Sequence, residues 1–305
     1  LERSGLPPQS KEGQLGLLFL RVMRSLDALM GSDPELMRNW LEQPNHHLGG
    51  QEPRQLLASV EGLARVEAYL DTCVLEAHLQ PLADAVVRII DRQGYQASER
   101  WTDSLQEQAR LEALIDTVKP PAPAGQHRLL TTPFRYPPLR SGSRFTAADQ
   151  RELFYGARGL GTVLAERAFH ALRLLEGSPL PAGKVIQREQ TSFQVEITVQ
   201  RGLQLQHCLS AAELAAVTDP CSYQASQALG KQLRQLDVEA FEVPPCVGVL
   251  TPAAFASTPF DFQDWALEIR PDGVTFASFG LSQVFTLLRE QFLVEGRWPC
   301  PAASG

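Results

Sequence analysis

The chain has 305 residues, 44% of them hydrophobic, enough to bury one or two cores. Its formal net charge of −7 excludes a protein that coats nucleic acid through bulk charge, and no run approaches the ~18 apolar residues of a membrane-spanning helix. The N-terminal Leu1-Glu-Arg-Ser-Gly-Leu-Pro-Pro lacks the basic-then-apolar plan of a secretion signal, and the five cysteines (Cys73, Cys208, Cys221, Cys246, Cys300) are odd in number with no CxxC pair, as expected of reduced thiols in the cytoplasm.

Residues 15–30 carry apolar side chains at helical spacing, and Gly31-Ser32-Asp33-Pro34 stops that helix and caps a second one running to about Glu42. Pro44-Asn45 and Gly49-Gly50 predict a tight connection, Pro53 a short helix, and 60–71 a third periodic segment. Residues 1–73 are therefore expected to form a small all-helical module. His46-His47 has no further ligands at metal spacing, so it reads as turn and packing and no metal site is expected. Two more amphipathic helices are predicted over 75–91, from Leu79, Leu82, Val86, Ile89 and Ile90, and over 98–118, from Leu105, Leu111, Leu114, Ile115 and Val118. With the Pro-rich break at 119–125 they make a bridge spanning 74–124.

Beyond that break the pattern turns to short strands, at 127–132, 153–155, 185–199, 239–243, 248–251 and 265–269. Helices are expected at 160–176, 211–217, 222–236 and 282–292, and a loose tail at 296–305. The fold class is thus α+β: an all-helical N-terminal module, then a mixed α/β domain over 125–295. From 125 to 201 eleven Lys/Arg stand against six Asp/Glu, whereas from 202 to 305 five stand against eleven. A basic segment inside an acidic chain suits an anionic ligand, although a surface arginine surplus would look the same.

That basic segment contains Arg144, Tyr155 and Glu166, eleven residues apart twice over, preceded by Phe134-Arg135-Tyr136-Pro-Pro and the Gly-Ser-Arg144-Phe145 run. Arg144, with Arg135 as a second candidate, offers a planar fork for phosphate oxygens. Tyr155 can stack on a ring, and Tyr136 is a weaker candidate for the same pocket. Glu166, on the first turns of the 160–176 helix, can hold a ribose hydroxyl and oppose positive charge developing on the sugar. Taken singly, each would pass for a surface charge, a half-buried strand aromatic or a solvated helix face. Taken together, they resemble the signature of RES-domain toxins, which consume NAD, and the resemblance runs from about residue 76 to about 290.

The N-terminal module carries a second signature. Ser25-Leu-Asp-Ala-Leu-Met-Gly31, Trp40-Leu-Glu-Gln-Pro44-Asn45 and Pro53-x-x-Leu56-Leu57 with Glu61-Gly62, Val66 and Tyr69-Leu70 resemble the toxin-binding domain of Xre/ParS/MbcA-type antitoxins, the usual partner of a RES toxin. The two resemblances imply a fused antitoxin and toxin, with an ADP-ribosyltransferase-like catalytic fold. They imply NAD as substrate with no other cofactor, cleavage at the nicotinamide–ribose bond by hydrolysis or phosphorolysis, and silencing by the antitoxin-like module in cis or in trans. An ADP-ribosyltransferase with a protein acceptor and a catalytically degenerate binding module are the alternatives. The resembled antitoxins dimerise, so a homodimer is expected, with the Leu26, Leu29, Trp40, Leu57 and Val66 faces of the module needing another surface. A dozen polar residues ahead of the module leave no room for a helix-turn-helix, which argues against DNA binding.

The serine in the family's name has its best counterpart in Ser226, which opens a helix and either aims its hydroxyl and nearby N–H groups at phosphate or serves as an ordinary helix N-terminal hydroxyl. Further on, related sequences read Tyr-Pro-Ser and then a loop with an Asn. This chain reads Val243-Pro244-Pro245-Cys246, so Pro245, with neither hydroxyl nor N–H, stands at the serine position, a departure that favours the degenerate reading. No phosphate loop, Gly-x-Gly-x-x-Gly after a strand, His-Glu-x-x-His or Gly-x-Ser-x-Gly competes with this site.

Overall fold

The computed structural model of the chain describes residues 7, 10–92, 102–118, 125–136, 138–140, 142–177, 181 and 183–299. It divides into two compact units, Leu1–Leu79 and Gln80–Gly305. The first contains α1 (Lys11–Met30), α2 (Pro34–Glu42), a single turn at Pro53–Leu56 and α3 (Val60–Ala77). Side chains that can satisfy free N–H groups begin these helices: Ser10 accepts from the Gly13 amide, Asp33 from those of Glu35 and Leu36, and Ser59 from that of Gly62. Gly31, at φ 60°, ends α1 in the left-handed conformation that glycine adopts without strain.

The module has its own core of Val22, Leu26, Leu48, Leu63, Val66 and Leu70, against which Leu29, Trp40 and Leu57 pack. The expectation that Leu26 and Val66 need another surface is therefore corrected, because both are fully buried within the unit. His47 stacks on Tyr69, which lies nearly parallel to Trp40.

The second unit contains β1 (Gln80–Asp91), α4 (Leu105–Val118), α5 (Arg128–Arg135), β2 (Phe154–Ala157), α6 (Leu160–Gly177), β3 (Ile186–Gln204), α7 (Ala211–Thr218), α8 (Gln224–Gln235), β4 (Ala240–Val243), β5 (Cys246–Val249), β6 (Phe260–Arg270), β7 (Gly273–Ser278) and β8 (Val284–Leu288). The strands run in the order β1-β2-β5-β4-β3-β6-β7-β8, and β1 also pairs with β3. The first five consequently close into a ring. β3 serves two partners along one edge, pairing with β4 from Gly202 to Gln204 and with β6 at its other end.

Leu82, Val86, Phe154, Phe193, Val195, Val247 and Val249 fill the ring. A second core joins Leu164, Ala168, Leu172 and Leu175 of α6 to Trp265, Leu267, Val274 and Phe276 of β6 and β7. The first unit is thus all-helical and the second combines helices with one sheet, an α+β arrangement.

Three expectations about elements are corrected. Where helical spacing predicts a helix over 75–91, α3 ends at Ala77 and β1 follows. The predicted strand at 127–132 is instead α5, whose His127 side chain accepts from the Leu129 amide and whose Thr132 hydroxyl bonds back to the Arg128 carbonyl. The predicted helix at 282–292 is β8 followed by one 3₁₀ turn, Arg289–Phe292. β7 is a strand with no counterpart among the sequence expectations. Of the remaining expectations, 98–101 of the second bridging helix, 119–124 of the Pro-rich break and 300–305 of the tail lie outside the described residues.

Candidate active site

A cleft of about 230 Å³ opens where the ring meets α6. Arg88 on β1, Tyr155 and Gly156 on β2, Cys246 on β5, and Glu166 and His170 on α6 line it. Sheet pairing assembles the floor: Tyr155 lies opposite Gly248, Ala157 opposite both Val87 and Cys246. Gly156 is needed here, since a Cβ on it would lie 2.7 Å from the Val87 carbonyl oxygen and closer still to a Val86 methyl.

Glu166 and His170 stand four residues apart on α6, so both reach the same face of the helix. His170 Nε2 is 3.2 Å from Glu166 Oε1. The Glu166 side chain is 49% exposed but recessed in the cleft. Burial works to raise its carboxyl pKa, and the hydrogen bond and charge of His170, with the charge of Arg144, outweigh it, so the net shift is downward and the group stays ionised.

Tyr155 is pushed the other way: burial, then contact with Cys246 and the charge of Glu166, raise its hydroxyl, and Arg144 offsets part of this. The Cys246 thiol beside it is itself raised, first by burial. Phe145 stacks on the Tyr155 ring at 6.5 Å.

Arg88 supplies the cleft's unbalanced charge. Its Nη1 donates to the Tyr155 carbonyl at 2.9 Å and its guanidinium lies 4.5 Å over the Phe154 ring. Among the described residues no carboxylate forms an ion pair with it, and burial pulls its pKa down to about 10. Arg167, by contrast, is committed: it donates to Gln190 at 2.9 Å and to Asp91 at 2.6 Å.

Of the residues singled out from the sequence, the structure brings Tyr155 and Glu166 together in this cleft. Arg144 is near enough for its charge to act on both, but its guanidinium donates to the Asp219 carbonyl at 2.8 Å and lies over the Tyr223 ring. Arg135 ends α5, and Tyr136 beyond it is 42% exposed; neither lines the cleft. Ser226 is fully buried and its hydroxyl donates to the Tyr223 carbonyl, which is the helix-terminal role and not a free phosphate donor. Pro244-Pro245 forms the turn between β4 and β5, directly before Cys246.

Arg88, His170 and Cys246 are cleft residues that sequence reasoning did not pick out. For His170 a signal existed, its spacing of four from Glu166 on a predicted helix. Arg88 lay in a segment read as a helix, so its facing could not be inferred.

Comparison with known proteins gives two family matches. The antitoxin Xre/MbcA/ParS C-terminal toxin-binding domain matches residues 25–73, and the RES domain matches residues 120–273. No curated protein matches the chain. The crystal structure of the M. tuberculosis MbcT-MbcA toxin-antitoxin complex aligns over 66% of this chain and 92% of its own, at 12% sequence identity and a TM-score of 0.35.

Proposed function

The chain belongs to the RES domain family, with an antitoxin toxin-binding domain ahead of it, and on that footing we propose that it is a toxin–antitoxin protein whose cleft cleaves NAD at the nicotinamide–ribose bond. The observation that carries this reading is a carboxylate, Glu166, an aromatic, Tyr155, and an arginine, Arg88, with no ion-pair partner among the described residues, all lining one cleft.

Breaking the bond between ribose C1′ and the nicotinamide nitrogen sends the electron pair to nicotinamide and leaves positive charge on the sugar. Glu166 opposes that charge and accepts from a ribose hydroxyl, as carboxylates do for oxocarbenium-like transition states. Arg88, whose charge meets no carboxylate among the described residues, binds the diphosphate, and Arg144 adds longer-range positive potential. Tyr155 stacks on the nicotinamide ring, its hydroxyl kept neutral by burial. Water or phosphate then takes the sugar cation, water losing its proton to the solvent. The N-terminal domain serves as the silencing element.

Incubating the full chain, and the chain starting at Gln80 that lacks the silencing domain, with NAD, with and without phosphate and with and without cell lysate, and following nicotinamide and the ADP-ribose product by chromatography tests this. Free ADP-ribose, its 1″-phosphate or ADP-ribosylated protein identifies the acceptor. Glu166→Gln, nearly isosteric on a half-exposed side chain, should abolish nicotinamide release with the melting temperature unchanged. Release at the parent rate would remove Glu166 from the mechanism, and no release from any form would leave the binding-module reading.

A further inference from the structure

We propose that His170 is a positioning residue for Glu166: it holds Oε1 of the carboxylate and leaves Oε2 to take the ribose hydroxyl. The inference rests on the reading of Glu166 as the carboxylate that faces the sugar.

An ionised carboxylate only accepts hydrogen bonds, so at 3.2 Å His170 Nε2 must carry the hydrogen, which fixes the ring's tautomer or makes it an imidazolium. The remaining charged and titratable groups around Glu166 have other partners. Arg167, on the same helix, is bound to Asp91 and Gln190. Arg88 on β1 donates to the Tyr155 backbone carbonyl, Tyr155 on β2 interacts with Cys246 on β5, and Arg144 donates to the Asp219 backbone carbonyl. Among the described residues His170 is therefore the group whose side chain bonds the Glu166 carboxylate.

The bond has a purpose beyond stability. A glutamate has three rotatable bonds, and at 49% exposure little packing limits them. A donor one helical turn away restricts the carboxylate to one orientation in the cleft, while on a solvated helix face the same pair would contribute little. The His170 ring is itself steadied by an edge-on contact with Phe169 at 5.4 Å, and Phe169 stacks on Trp298. The downward pull of His170 on the Glu166 carboxyl agrees with a donor bound to the ionised form.

The test compares His170→Ala and His170→Gln with the parent, all as full chains. Glutamine keeps an N–H donor on a side chain of similar reach. With 13C-labelled glutamate, and the Glu166 resonance assigned through Glu166→Gln, the carboxyl titration midpoint should move up in His170→Ala and return toward the parent in His170→Gln. For NAD cleavage, His170→Ala should lower kcat by about tenfold or more with KM within about twofold, because small misplacements of a reacting group cost up to ~10²-fold. Glutamine should restore most of it. An unchanged Glu166 titration in His170→Ala overturns the inference whether or not the chain cleaves NAD. Absence of cleavage by the parent, both as the full chain and as the chain starting at Gln80 that lacks the silencing domain, overturns the functional reading and leaves the titration to decide the hydrogen bond. A merely structural role would lower the melting temperature without moving the midpoint.

Discussion

At the scale of single residues, Arg88 carries a cost in the ligand-free protein. Its guanidinium gains one bond to a carbonyl and a face against Phe154, but no counter-charge among the described residues. A buried cation without an anion is destabilising, so Arg88→Met should change the stability of the ligand-free chain by no more than ~1 kcal/mol, the lost hydrogen bond being offset by the removed charge. The same change should raise KM for NAD at least ~10-fold, the equivalent of one charge-assisted hydrogen bond. Urea denaturation and steady-state kinetics on the same preparation check both, and an unaltered KM would remove Arg88 from the diphosphate. Tyr155 and Glu166 were legible because their eleven-residue spacing crosses one strand end, one turn and less than two helical turns, a path that local sequence determines. Arg88 was not, because only pairing between strands distant in the chain brings it to Tyr155.

At the scale of elements, β1 shows why a strand can read as a helix. Leu82, Val86 and Ile90 face the ring interior, while Val87 and Ile89 face α6 on the other side. A strand covered on both faces need not alternate, and apolar residues at 82, 86, 89 and 90 match helical spacing by chance. The 282–292 segment misleads in the same way, with apolar doublets Val284-Phe285 and Leu287-Leu288 on a strand. The long alternating run of β3 and the Gly31-to-Pro34 stop and cap between α1 and α2 were readable, since there the periodicity and the stop signals agree.

Two element-scale outcomes are expected from the ring. Arg158, just past β2, joins Asp84 on β1 to Glu242 on β4, which is 1% exposed and also accepts from Gln204. Arg158→Ala should cost about 2 kcal/mol, less than the ~3–5 of a fully buried pair because Arg158 is 45% exposed. Adding Glu242→Gln should recover part of that in a double-mutant cycle, and strict additivity would show that the pair is uncoupled. Gly156→Ala should destabilise by ~1–3 kcal/mol through overpacking of β2 against β1, read as a lower urea midpoint.

At the scale of the whole molecule, the sheet decides where the catalytic unit can be cut. The RES match begins at residue 120, yet β1 pairs with β3 over almost its whole length and carries Arg88. A chain starting at residue 120 would leave the ring open and a long unpaired edge on β3, so it should aggregate or lack a cooperative thermal transition. A chain starting at Gln80 keeps every strand of the sheet and should fold. That second chain also tests silencing. Two residues, His78 and Leu79, separate α3 from β1, so the antitoxin-like unit is held at the high local concentration of a short tether, about millimolar where geometry allows engagement and almost nothing where it does not. If the N-terminal domain restrains the cleft, the Gln80 chain should cleave NAD faster than the full chain at equal concentration and be more toxic when expressed. Adding the separate 1–79 piece should then restore inhibition only well above the concentration of the Gln80 chain, because the tether is gone. Equal turnover by the two chains would show that the fusion does not silence itself, and would move any inhibition to a partner supplied in trans.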